Sequence, residues 1–224
     1  MQGRDACAIV PALDAAKTIT GVVTGALPHV TTVIVVDDGS TDGTADLARS
    51  LGATITVHEK NRGKGAALKT GLALAQDLGF RVAVTLDADG QHPPSEIPKL
   101  LSPSDEGALV LGVRDLAAAG APIANQRSNA FANGFISCVT LRRIGDTQCG
   151  MRRYPVSRTL ALGVKDDRFG FETEVILRAN RARMPIVQVP IEVRYPSDRT
   201  THFDARRDPW RIVGRVLRTL LVDR

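Results

Sequence analysis

One run of apolar, mostly β-branched residues ends in two carboxylates spaced two positions apart, and this limits the folds open to the chain more than anything else in it. Val82, Val84 and Leu86, with Ala83 between them, read as a strand buried on both faces. Gly90 and the Pro93-Pro94 pair stop it, so Asp87 and Asp89 fall at or just past its carboxyl end. Open α/β sheets place their ligands there. Two carboxylates this close repel each other unless a cation lies between them. Hard divalent ions such as Mg²⁺ or Mn²⁺ favour oxygen ligands and are commonly shared with phosphates. Gln91 adds a neutral oxygen two residues on. An acidic turn capping a strand would use the same residues, so the decision falls to the rest of the chain.

Further strands are expected at Ala6–Val10, Val33–Val36, Thr54–Val57 and Leu109–Val113, and another at Ile186–Val193. Helices are expected at about 15–26, 42–51 (capped by Ser40 or Thr41), after Gly65, 123–141, 171–183 and 209–222. Strands alternating with helices of this length give βαβ units, hence an α/β fold with a mostly parallel central sheet flanked by helices. No repeat, low-complexity tract or long linker divides the chain.

With 43% apolar residues, the 224-residue chain can bury a proper core. No stretch of 18 apolar residues is present, and the first residues lack a leader's apolar run. Cys7, Cys138 and Cys149 are odd in number and widely spaced, which suggests reduced thiols and a cytoplasmic setting. The net charge of +5 is unevenly placed: residues 1–110 hold nine Lys/Arg against thirteen Asp/Glu, residues 111–224 twenty against eleven, nearly all Arg. The second half should therefore meet something anionic. Nucleic acid is set aside, because no aromatics are interleaved with the arginines as stacking platforms. A phosphate-bearing acceptor or an anionic membrane surface fits better.

Two more loops lie where a nucleotide would sit. Asp37-Asp38-Gly39-Ser40 ends another strand; a carboxylate there can accept from a ribose hydroxyl or a base N–H, or simply close a turn. Asn61-Arg62-Gly63-Lys64-Gly65 opens a helix whose backbone N–H groups and cations suit a diphosphate, though solvated loop cations would look the same. It is not a Walker A loop.

Ile9-Val10-Pro11-Ala12-Leu13, Val35 to Thr44, Asn61 to Gly65 and Leu86 to His92 occur in one order. They are followed by Asp146 to Gly150, Phe169 to Glu174 and Val189 to Tyr195. Over about residues 6–205 the chain resembles family 2 glycosyltransferases of the GT-A fold. The branch it looks most like contains dolichyl-phosphate mannose synthase and bacterial polyprenyl-phosphate sugar transferases. The resemblance implies that Pro11, Ala12, Leu13 and Asp38 line the nucleoside pocket with Asp37 supporting the turn, and that Lys64 lies near the diphosphate. It implies that Asp87, with Ala88 beside it, Asp89 and Gln91 hold Mg²⁺ or Mn²⁺ against a UDP- or GDP-sugar, with Asp89 central to catalysis. Arg114, Arg127 and Arg199 would receive the acceptor phosphate; for Arg127 a plain surface charge is the alternative. A planar guanidinium binds phosphate bidentately and never deprotonates. Two departures stand out: only Asp14 replaces the acidic residue expected soon after Pro11-Ala12, and the branch's C-terminal membrane helices have no counterpart.

The resemblance implies single-step inverting transfer of a sugar to a polyprenyl-phosphate acceptor at the cytoplasmic membrane face. A phosphate monoester needs positioning more than deprotonation. A hydroxyl acceptor would want a carboxylate base, for which Glu172 or Glu174 stand as candidates. A non-catalytic sugar-nucleotide-binding module is the rival from outside enzymes. The glycosyltransferase domain is expected over 1–205, its nucleotide-binding half about 1–113 and its acceptor half about 114–205. Residues 206–224 are expected to form a basic amphipathic helix for a membrane interface, the protein's own core or a second subunit of a homodimer.

Overall fold

The computed structural model describes residues 6–194 and Gly214. The strands are β1 (Ala6–Ala12), β2 (Thr32–Asp37), β3 (Thr54–Val57), β4 (Val82–Thr85), β5 (Leu109–Arg114), β6 (Arg152–Pro155) and β7 (Ile186–Ile191). The α-helices are α1 (Ile19–Ala26), α2 (Thr44–Ser50), α3 (Lys64–Asp77), α4 (Ile97–Leu101), α5 (Ile123–Thr140), α6 (Val156–Ala161) and α7 (Phe171–Arg181). The strands form one seven-stranded sheet in the order β3-β2-β1-β4-β6-β5-β7. All neighbours are parallel except that β6 runs antiparallel to β4 and β5.

Alternate residues of the central strands feed two cores. Ala8, Val10, Val33 and Val35 pack towards α1 and α4, while Ile9, Ile34 and Val36 pack towards α3 and α7. Both faces are covered, so these strands read as unbroken apolar runs. Gly71 in α3 sits over Ile9, and a Cβ there would meet Ile9 Cγ2 at 2.5 Å, so only glycine lets the helix lie this close to the sheet. All three cysteines are free thiols, with Cys7 and Cys149 buried. Among the described residues no helix is long and apolar enough to cross a membrane.

Three local expectations are corrected. The first helix starts at Ile19 rather than 15, because Asp14 takes a left-handed φ of 47°. The amides of Asp14, Ala15 and Ala16 instead donate to Ser40 Oγ, Thr44 Oγ1 and Asp42 Oδ2. Neither Ser40 nor Thr41 caps α2; its N-cap is Gly43, and Asp42 Oδ1 accepts from the Thr44 amide. Residues 152–155 are a strand that was not foreseen. Arg199 and almost all of the expected 206–224 helix lie outside the described residues.

Candidate active site

Strand order reverses between β1 and β4, and parallel α/β sheets open a ligand crevice at the carboxyl ends of strands around such a point. Each nucleotide-type loop ends one of these strands. Pro11 and Ala12 are buried at the end of β1, whereas Leu13 is exposed. Asp37 ends β2 and accepts from the amides of Gly39 and Ser40, which fixes that turn.

Asp38 is buried, and its carboxylate is occupied by the protein. Oδ1 accepts from the Arg62 amide at 2.9 Å and Oδ2 from the Gly63 amide at 2.7 Å. His58 Nδ1 lies 2.7 Å from Oδ1, and its other ring nitrogen lies 3.0 Å from Thr70 Oγ1. Asp38 thus ties the loop before α3 to the end of β2. The Ala66 amide is also taken, by the Asp167 carbonyl at 2.9 Å.

Lys64 Nζ bridges two carboxylates, Asp87 Oδ1 at 2.6 Å and Glu172 Oε1 at 2.8 Å. Burial alone would lower the lysine's pKa, but attraction to Asp87 and Glu172 outweighs it, and the net shift is upward. Burial likewise opposes charge on Asp87, but Lys64, His92 and Arg114 hold its carboxyl well below the usual range. His92 is almost fully buried; desolvation pulls it down to about 4 in spite of Asp87, so it is neutral near pH 7. Glu174 is held by Arg178 and by the Lys165 and Asp166 amides, an arrangement that serves the loop before α7.

Asp89 is the carboxylate that faces solvent. Its oxygens accept from the Gln91 amide at 3.0 Å and from Gln91 Nε2 at 2.6 Å. The loop is pinned from two sides: Thr18 Oγ1 donates to the Ala88 carbonyl at 2.6 Å, and the Arg194 amide to the Gln91 carbonyl at 2.8 Å. Gly90 makes the turn with a φ of 73°. Among the described residues no three His, Cys, Asp or Glu side chains form a ready metal cluster. The oxygens present still suit a hard cation. Asp89 and the Gln91 amide oxygen, which a flip of that amide would present, could hold such an ion, with Asp87 shared with Lys64.

A second cluster is built on Asp146, which is fully buried. Arg114 grips it through Nε at 2.6 Å and Nη2 at 3.1 Å, and the amides of Gln148 and Cys149 donate to it. Arg114 also lines a cleft of about 450 Å³ with Asp115, Gln126, Asn129 and Asn133. Arg127 is exposed on the outer side of α5 and is not part of that lining. Sequence reading missed this Arg114–Asp146 pair, and it missed Gly150 as well. The backbone of Gly150 packs against Asp87, and its carbonyl accepts from Thr85 Oγ1 at 2.6 Å. Two arginines of the basic half face no ligand at all: Arg152 and Arg153 are wholly buried, donating to backbone carbonyls.

The fold gathers acidic and cationic groups at the switch point on the carboxyl edge of a mostly parallel sheet, the layout of an α/β enzyme. The chain belongs to glycosyl transferase family 2, whose family model matches residues 7–158. A UDP-N-acetylglucosamine–dolichyl-phosphate N-acetylglucosaminyltransferase of Methanococcus voltae is 30% identical over 84% of this chain and 84% of its own length. A polyprenol monophosphomannose synthase of Mycolicibacterium smegmatis is 34% identical over 77% of this chain and 70% of its own. Among solved structures, glucosyl-3-phosphoglycerate synthase from Mycobacterium tuberculosis, in complex with Mn²⁺, UDP and phosphoglyceric acid, superposes with a TM-score of 0.78. It is 22% identical, and the match covers 98% of this chain and 80% of that one. The fold is thus that of the GT-A glycosyltransferases.

Proposed function

We propose that this glycosyltransferase moves a sugar from a UDP- or GDP-sugar to a polyprenyl-phosphate acceptor in one inverting step, with a divalent cation at Asp89. The observation that carries the reading is the solvent-facing Asp89 beside a Lys64-held Asp87 at the sheet's switch point. The two relatives, a dolichyl-phosphate and a polyprenol-monophosphate sugar transferase by name, support a polyprenyl-phosphate acceptor. The Mn²⁺ and UDP of the structural neighbour support the donor and the metal.

Pro11 and Ala12 would floor the nucleoside site, and Asp37 and Asp38 would hold its loops in place. Lys64, cationic throughout the working pH range, would face the diphosphate from the start of α3. Asp89 and Gln91, with Asp87 behind them, would hold Mg²⁺ or Mn²⁺. When bound, that ion would neutralise charge growing on the departing diphosphate. Arg114, oriented by Asp146, would present the acceptor phosphate in its cleft, with Arg127 and Arg199 as further anion contacts. No separate base is then required. Both carboxylates that could serve a hydroxyl acceptor are engaged, Glu172 by Lys64 and Glu174 by Arg178.

The test is transfer of labelled sugar to polyprenyl phosphate by the full chain, across UDP- and GDP-sugars with and without Mn²⁺. Asp89→Ala should abolish transfer while its melting temperature stays close to the parent's. Undiminished turnover in Asp89→Ala would remove the metal assignment. Transfer to a neutral alcohol that survives Arg114→Ala would remove the acceptor assignment.

A further inference from the structure

Helix α5 packs Ile136, Phe135 and Val139 against the core and yet carries further apolar residues on its outer face. Three of its polar residues reach into the protein: Asn129 donates to Asp146, Asn133 to the Gly145 carbonyl, and Ser137 Oγ accepts from the Ile144 amide. Its exposed positions are Ile123, Ala124, Arg127, Ala130, Phe131, Gly134 and Cys138. At 100° per residue these fall within one continuous face. Ile123 is 67% and Phe131 51% exposed, and Phe131 stacks on Phe135 at a centroid distance of 6.5 Å. Just past the helix, Leu141 is 91% exposed and is followed by the exposed Arg142 and Arg143. The core is already served by the inward stripe, and large apolar groups left on the outward face mark an interaction surface.

We propose that this face of α5 seats the protein on an anionic lipid bilayer; the inference rests on the polyprenyl-phosphate reading, to which it adds the docking surface. Charge selects the occupant. Residues 123–143 hold three arginines, Arg127, Arg142 and Arg143, and no carboxylate. A second copy meeting this face about a two-fold axis would set those arginines against themselves. The chain's own residues 206–224 carry six arginines against two aspartates, so they too would bring like charge. Anionic headgroups complement the arginines, while Ile123, Phe131 and Leu141 reach into the acyl boundary. The cleft holding Arg114 opens along the same helix, so a lipid phosphate would meet it without leaving the bilayer.

The experiment is co-sedimentation of the full chain with vesicles of phosphatidylcholine alone or mixed with phosphatidylglycerol, without donor or acceptor. The parent should bind only the mixed vesicles. Ile123→Glu with Phe131→Glu should weaken partitioning by at least about tenfold. Gly134→Leu, whose Cβ would meet nothing within 4 Å, should strengthen it. In detergent, transfer to a short-chain lipid phosphate should be unchanged by all three substitutions. The proposal is overturned if the glutamate variants bind mixed vesicles as the parent does. It is equally overturned if they convert a dimer to a monomer, or melt well below the parent, since the face would then be covered by protein. Sugar transfer without bilayer binding would refute this surface and leave the reaction standing. Bilayer binding through this face with no transfer to any lipid phosphate would refute the reaction and leave the surface standing.

Discussion

Replacing Gly150 by alanine tests whether Asp87 is held where the chemistry needs it. Gly150 does not have a left-handed φ, so alanine brings no backbone strain of that kind. What it brings is a Cβ at 2.6 Å from Asp87 Oδ1 and 2.8 Å from its Cγ, where real Cβ atoms essentially never come within 3.0 Å. The carboxylate must retreat by at least about 0.4 Å, and Oδ1 is the atom that Lys64 Nζ holds at 2.6 Å. Weakening one charge-assisted hydrogen bond costs about 1.5–3 kcal/mol, roughly a 3–10 °C drop in Tm for a domain of this size. Transfer should fall by at least about tenfold if Asp87, which holds Lys64, also backs the proposed cation site. Thermal melts and initial rates on Gly150→Ala, Asp87→Ala and the double variant form a closed cycle. With the Asp87 carboxylate gone the new methyl has room, so Gly150→Ala should be nearly neutral in that background. An equal loss of stability in both backgrounds would refute the steric argument and place the cost elsewhere in the 146–152 segment.

Other expectations follow from single contacts. Arg152→Met should destabilise by about 3 kcal/mol or more in a denaturant melt, because the carbonyls of Thr147, Cys149 and Glu172 would lose a buried donor. Asp38→Asn should cost about 2 kcal/mol and raise the KM for donor more than it lowers kcat, since an amide NH₂ would face N–H groups that the carboxylate accepts. His92 titrates near 4 when folded against an ordinary 6.5. The unfolded chain therefore binds the extra proton between those values, and stability present above pH 6.5 should fall by about 3 kcal/mol as pH drops to 4. Urea midpoints of His92→Gln should be flatter across that window than those of the parent.

The parts of the fold that could be read beforehand share one physical cause. Strands covered on both faces must be apolar throughout, so β1, β2 and β4 announced themselves, and the polar residues that ended them marked the ligand edge. β6 gave no such sign. Arg152-Arg153-Tyr154-Pro155 looks like a solvated loop, yet each arginine sends its guanidinium to backbone carbonyls and the strand is fully buried. A count of cations could not separate these two from Arg127, which is exposed. Asp38 and Arg114 show the same gap at the site. The residue types were visible, but partners twenty and more positions away decide whether a charge meets a ligand or holds a loop.

Those distant partners explain why the site forms only in the finished fold. Lys64 and Asp87 belong to the first half of the chain and Glu172 to the second, and together they make one ion triad. Arg114 at the end of β5 is oriented by Asp146, whose following residues lead to Gly150 against Asp87. β6, from the second half, lies between β4 and β5 of the first, so the halves share a sheet and cannot swing apart as rigid bodies. Motion that admits a substrate must therefore come from loops, and the loop bearing Asp89 is tied to Thr18 on one side and Arg194 on the other.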